Sequence, residues 1–303
     1  MKTYSYYFNG LIFISEVNIP ELEPCNDIPE SAQGIIVNVR YGNTPRDIVH
    51  PVYKTEVMQA SEKEVLIFIE NTAWYYIKKD ELVIEPLAGA EEKSVRLYIF
   101  SIVLGALLHL NNILCLHASS IQVGDNAILV GGYSGAGKST LALGLHRKGY
   151  QVLNDDISSV GFDKDGSAFV YSGVLHLKLW NRTLERYGYD TEDFSKLREE
   201  LEKYSYPLPR DRAAYHTPVK AIFLLGESQE PTTVKEIDGL EKFAAIRRNT
   251  YRYKLLQHLK KTDRHFLSAG NLIGKVPIFK VNRNTDITPA DFAAFMEEQF
   301  VKL

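Results

Sequence analysis

Gly132-Tyr133-Ser134-Gly135-Ala136-Gly137-Lys138-Ser139-Thr140 is the stretch on which the reading of this chain turns. It follows the apolar run Ile128-Leu129-Val130 and leads into Leu141 to Lys148, a helical composition closed by Gly149. A Gly-x-x-x-x-Gly-Lys-Ser pattern between a strand and a helix suits phosphate binding, because successive amides turn inward around the anion and the helix dipole adds to their field. Gly135, Ala136 and Gly137 are small enough to permit that turn. The spacing predicts that Lys138 reaches the β- and γ-phosphates and that Ser139 ligates Mg²⁺, so ATP and Mg are the expected cofactors and residues 132–140 the expected binding loop.

Upstream of the loop, Leu114 to Val123 and Ala127 to Val130 read as strands joined by Gly124-Asp125-Asn126, a hairpin composition. The loop strand is therefore entered from a hairpin rather than from a helix. Downstream, Tyr150 to Leu153 reads as a strand ending in Asn154-Asp155-Asp156. A solvated turn or a helix cap accounts for an isolated Asp-Asp. At the carboxyl end of a strand beside a phosphate loop, the same pair suits metal coordination and acceptance of a hydroxyl proton. His117, in Leu116-His117-Ala118-Ser119, reads on its own as a satisfied core residue in an apolar strand.

The chain before residue 94 is β-rich, with strand-like runs at Tyr6–Val17, Gly34–Tyr41, Val65–Glu70, Ala73–Lys78 and Leu82–Ile84. This predicts a smaller N-terminal domain over residues 1–93 and an α/β phosphate-loop domain over residues 94–303. Ser94 is placed to cap a helix from Val95 to Leu110. Its apolar run, Leu97 to Leu108, is broken by Ser101 and Gly105 and is short for a membrane span, which predicts a buried helix. Later segments read as strands at Phe169–Tyr171 and Val174–Leu179, a charged amphipathic helix at Thr191–Lys203, a strand at Ala221–Leu225, a helix at Leu240–Leu259, a strand at Val276–Val281, and a helix from Pro289 to Phe300 capped by Thr288. Lys178 alternates with apolar positions and either points from a sheet toward the nucleotide or, as the pattern alone favours, is one solvent-facing strand residue. Arg210, Arg212, Arg247, Arg248, Arg252 and Arg283 are cations of a kind that can stabilise transferring phosphate charge or lie in solvent.

Composition narrows the partners. The chain has 303 residues, 45% of them hydrophobic, with 35 Lys plus Arg against 38 Asp plus Glu for a formal charge of -3. That balance lacks the basic excess of a nucleic-acid binder. Cys25 and Cys115 form neither a disulfide framework nor a zinc motif. With no export signal at Met1-Lys2-Thr3-Tyr4, a cytoplasmic location away from any membrane is expected.

Over Leu116 to Asp156 the chain resembles the HPr kinase/phosphorylase family, whose phosphate-loop fold is related to that of phosphoenolpyruvate carboxykinase. The resemblance runs through Leu116-His117, the turn Gly124-Asp125-Asn126, Ser134-Gly135-Ala136-Gly137-Lys138-Ser139, Arg147-Lys148-Gly149-Tyr150 and Asp155-Asp156, without gaps. It implies Asp156 as the base that takes the acceptor proton, Asp155 as a metal ligand beside Ser139, and His117 near the transferred phosphoryl group. The catalytic set implied is His117, Lys138, Asp155 and Asp156. The family's Glu-Ile-Arg-Gly-Leu-Gly segment has no counterpart at Val174 to Trp180, which sets the chain apart from phosphocarrier kinases. It looks instead like the divergent HPr-kinase-like proteins that phosphorylate the C-terminal serine of lasso-peptide precursors. The activity implied is an ATP- and Mg-dependent serine kinase acting on a peptide or small protein, with room for a homo-oligomer. A small-molecule kinase and a non-catalytic nucleotide sensor are the competing readings.

Overall fold

The computed structural model describes residues 2–25, 34–173, 176–198, 201–208 and 214–303. Val174, Leu175, Glu199, Glu200, Arg210 and Arg212 of the sequence reading lie outside the described residues. The fold is mixed α/β, with several sheets. The chain divides into two compact units, the first made of Met1–Cys115 and Tyr251–Ser268, the second of Leu116–Thr250 and Ala269–Leu303.

In the first unit, an eight-stranded sheet carries a core of Tyr6, Tyr7, Phe8, Phe13, Tyr75 and Leu82, all buried. The segment Tyr6–Val17, read as one strand, is a hairpin of Tyr4–Phe8 and Leu11–Ser15. Asn9 and Gly10 sit at φ 53° and 81°, so two left-handed residues turn the chain. The following helix runs from Glu92 to Leu110 with a π-helical stretch at Ile99–Val103, and Glu91, not Ser94, stands at its N-cap. At 19 residues it is long and apolar enough to cross a membrane by length and composition, and 67% of its apolar window is buried.

The second unit is organised around Asn126–Gly132, antiparallel to Ala118–Val123 through the expected hairpin and parallel to the long strand His216–Ser228. That strand is in turn parallel to Ile278–Asn284, while Thr233–Ile237 closes the edge antiparallel. On one face, Ile128, Val130, Phe223, Leu225 and Val281 pack with Leu141 and Leu145 of the helix Lys138–Arg147 and with Phe292, Met296 and Phe300 of the helix Pro289–Val301. The second helix is capped by Thr288, whose hydroxyl accepts from the Asp291 amide at 3.1 Å. The two helices approach closely at Gly144, where a Cβ atom would stand 2.8 Å from Ala293 Cβ and against the Tyr187 hydroxyl.

Two helical expectations are corrected. Thr191–Lys203 is not a helix: a single 3₁₀ turn at Thr191–Asp193 gives way to strands Ser195–Arg198 and Leu201–Pro207, which pair with each other, the second pairing also with His176–Trp180. Tyr204 packs against Leu177, Leu179 and Leu184, and Tyr206 stacks on Phe194 with ring centroids 5.4 Å apart. That aromatic packing outweighs the helical preference of the Glu and Lys residues. Leu240–Leu259 is likewise two helices, Gly239–Asn249 and Tyr253–His258, separated where Arg252 takes φ 48°.

Candidate active site

The glycine-rich loop leaves its strand at Gly132, where a φ of 143° and the 2.8 Å at which an added Cβ would stand from Leu225 O leave no room for a side chain. Gly135 and Gly137 lie at φ 94° and 98°, and Gly137 is the N-cap of the helix Lys138–Arg147. The first amides of that helix have no partner within it and point to the loop's interior. Tyr133, Ser134 and Gly135 are exposed, Ala136 and Lys138 are buried, and Ser139 and Thr140 lie between. Thr140 Oγ1 meets Thr183 Oγ1 at 3.0 Å.

Lys138 turns back across the loop. Its ammonium donates to Gly132 O at 3.0 Å and Tyr133 O at 3.1 Å, and stands 3.0 Å from His117 Nε2. Burial pushes its pKa below the ordinary lysine value, against the attraction of Asp156 and Asp155. His117 lies where the expected strand Leu114–Val123 breaks into Leu114–Leu116 and Ala118–Val123. Its Nδ1 is 2.9 Å from Asp156 O and 3.1 Å from Asp156 Oδ1. With Nδ1–H donating to Asp156, Nε2 is the lone-pair nitrogen that faces Lys138. The three residues thus form a continuous chain, Lys138 to His117 to Asp156.

Asp156 has φ 72°, a left-handed conformation that Asp tolerates better than most residues. The strand Val152–Asn154 ends just before it, and the Ile157 amide reaches back to Asp155 O at 2.9 Å in a tight turn that presents the carboxylate. Burial opposes its ionisation, but the His117 hydrogen bond and the charges of Lys178, His117 and Lys203 prevail and hold it well below the usual carboxylate range. Lys178 Nζ stands 3.8 Å from Asp156 Oδ2.

Asp155 faces the loop from the same turn and is only 3% exposed. Its Oδ1 accepts from Ser119 Oγ at 2.9 Å and Ser139 Oγ at 2.8 Å, and its Oδ2 from the Lys178 amide at 2.9 Å. Below it, Asn154 Nδ2 donates to Ser120 Oγ and Tyr171 O at 2.8 and 2.7 Å, anchoring the strand end. Among the described residues no group of three His, Cys, Asp or Glu side chains forms a metal cage. A hydroxyl beside a carboxylate is nevertheless a hard-oxygen pair of the kind that holds Mg²⁺ when phosphate oxygens supply further ligands.

The structure therefore brings together His117, Lys138, Ser139, Asp155 and Asp156. It also adds residues that sequence reasoning left out of the site. Lys178, favoured by pattern as a solvent-facing position, contacts both aspartates, one through its amide and one through its ammonium. Ser119, to which no role was assigned, is bonded to Asp155. Asn249, at the end of its helix, accepts from the Gly132 amide through Oδ1 at 2.8 Å and from the His117 amide through its backbone oxygen at 2.6 Å. No local signal marks Asn249, because its partners are remote in sequence. Of the arginine candidates, Arg283 lies beneath the loop, its Nη1 3.0 Å from the place of a Gly137 Cβ, and donates to Glu227 at 2.8 Å. Arg248 lines a cavity that reaches Gly132, and Arg252 belongs to the first unit.

No protein-family model and no curated protein matches the chain. Among solved structures it is similar to the Hpr(Ser) kinase/phosphatase from Coxiella burnetii, at 11% identity and a TM-score of 0.34, over 62% of this chain and 97% of that one.

Proposed function

We propose that this chain is an ATP- and Mg-dependent kinase that transfers the γ-phosphoryl group to a serine hydroxyl of a peptide or small protein, such as the C-terminal serine of a lasso-peptide precursor. The observation that carries the reading is the convergence at one loop of a buried lysine, a hydroxyl paired with a carboxylate, and a second carboxylate held between His117 and Lys178. Each of these parts answers one need of in-line phosphoryl transfer. The loop amides and Lys138 neutralise the β- and γ-phosphates. Ser139 and Asp155 would hold Mg²⁺, which would supply charge compensation to the phosphates. Asp156 orients the attacking hydroxyl and accepts its proton.

The low proton affinity of Asp156 is compatible with that role. In a loose transition state the nucleophile keeps its proton until late, so alignment by a carboxylate that is always ionised contributes more than basic strength. Lys178 and His117 hold the carboxylate in place, and His117 links it to Lys138, so loop and base are set by one network. On this reading no nucleic acid or membrane takes part.

The test is intact-mass analysis of serine peptides, including a precursor ending in serine, after incubation with the protein and Mg-ATP. Addition of one phosphate with the wild type and none with Asp156→Asn is the expected result. Tight ATP binding with no transfer to any hydroxyl acceptor would turn the reading toward a nucleotide sensor.

A further inference from the structure

A cavity of about 240 Å³ lies within the second unit, on the sheet face opposite the helix Lys138–Arg147. Strand alternation fixes that side: Phe223, Leu225 and Val281 face the helix, so Leu224 and Lys280 face the other way. The cavity has apolar walls at Leu224, Ile237 and Ala245, and Gly132 and Tyr133 of the glycine-rich loop are part of its lining. Arg248 and Lys280 stand on its lining with one acid, Glu241. Among the described residues no carboxylate is paired with either cation.

The charge arrangement is unfavourable as it stands. Lys280 is directly opposite Lys235 on the neighbouring strand, and like charges in that register repel. An anion drawn to Lys280 and Arg248 relieves the repulsion. The position relative to the loop gives the anion a place in a reaction. Gly132 and Tyr133 are the two residues whose carbonyls accept from Lys138, the group that reads the β- and γ-phosphates, so the cavity lining reaches the γ end of the loop. In-line transfer requires the acceptor on the side of the γ-phosphate away from the leaving group. Asn249 joins the two places, lining the cavity while it accepts from the amides of Gly132 and His117.

We infer that this cavity is the acceptor subsite, and that the acceptor bears a carboxylate bound by Arg248 and Lys280 next to a small apolar group that fills the space against Leu224, Ile237 and Ala245. The inference rests on the phosphoryl-transfer reading for its orientation. Its chemistry is independent of that reading, since the subsite discriminates by charge whether or not transfer follows.

The probe is N-acetyl-leucyl-serine as the free acid and as the C-terminal amide, with affinities measured by ligand-observed NMR with and without a non-hydrolysable ATP analogue and Mg²⁺. The free acid is expected to bind about tenfold more tightly than the amide, the scale of one charge-assisted contact. In Arg248→Gln/Lys280→Gln the two should bind within about twofold of each other, with nucleotide affinity unchanged, and Glu241→Gln should tighten the acid only. Equal affinity of acid and amide in the wild type, no binding of either, or a preference that survives the double substitution overturns the inference. Failure of the nucleotide to bind overturns the loop reading instead, and the acid-to-amide ratio measured without nucleotide still decides the subsite.

Discussion

Asp155→Asn separates the metal role of this carboxylate from its structural one. Asp155 Oδ1 takes the hydroxyl protons of Ser119 and Ser139 at 2.9 and 2.8 Å, and Oδ2 takes the Lys178 amide at 2.9 Å. Asparagine keeps the shape but has one acceptor and one donor. Its oxygen must face the Lys178 N–H, which cannot reverse, so its NH₂ faces the two serines. Both hydroxyls can rotate to accept, and three charge-assisted bonds become neutral ones. At about 1.5–3 kcal/mol for each of the former and about 0.5–1.5 for each of the latter, the stability cost over three bonds is about 4 kcal/mol. The functional effect differs in kind. With Ser139 Oγ accepting from the amide, one of its two lone pairs is taken, its proton is turned off Asp155 into the space that opens to a metal, and the carboxylate's negative charge is gone. Calorimetric titration should therefore show Mg-ATP affinity lower by at least about tenfold, the equivalent of about 1.4 kcal/mol. ATP titrated in EDTA should bind equally well or better, because a negative charge near the phosphates has been removed. An equal loss with and without Mg²⁺, or no loss with it, would refute the assignment of Ser139 and Asp155 to the metal.

Asp156→Asn should lower the phosphoryl-transfer rate by about 10²–10⁴-fold and leave ATP affinity within about threefold, as measured by single-turnover kinetics beside calorimetry. Because the folded state depresses the Asp156 pKa, its carboxylate contributes stability fully above the unfolded value of about 4 and loses that contribution as pH falls below it. Urea denaturation should accordingly show a constant difference between wild type and Asp156→Asn above about pH 4 that shrinks as the pH falls further, and a difference that stays constant well below that pH excludes the ion pairing. Asn249→Ala leaves the Gly132 N–H without its acceptor, so the KM for ATP should rise about tenfold with a stability loss of about 1–2 kcal/mol. An unchanged KM would make Asn249 a helix-end residue only. Gly144→Val forces a side chain between Ala293 and Tyr187 and should destabilise the second unit by about 1–3 kcal/mol in urea.

What the sequence made legible was local chemistry. The loop reads directly because its glycines, lysine and serine act through backbone geometry that any observer of residues 132–140 can anticipate. Asp155 and Asp156 were readable from their place at a strand end, and their division of labour follows from a turn in which one faces Ser139 and the other His117. His117 read on its own as a core residue. It stands instead at a break in its strand, bonded to Asp156 and Lys138. Asn249 was illegible, and the choice between the two readings of Lys178 undecidable, because their importance comes from contacts between segments far apart in the chain, where alternation and helix ends carry no trace of the partner. The Thr191–Lys203 segment misled for a related reason. Its charges match helical spacing, and only Tyr204 and Tyr206 hint that aromatic packing against another strand decides the conformation.

The measurement that bears most directly on the whole account follows the γ-phosphate itself. ATP labelled at the γ position is incubated with Mg²⁺ and paired peptides that differ only in serine or alanine at the acceptor place, using the wild type and Lys138→Ala. Label appearing on the serine peptide alone, with ADP formed in equal amount and neither product formed by Lys138→Ala, is the result the account requires. Label released to water at the same rate with either peptide, or transfer undiminished in Lys138→Ala, would contradict it.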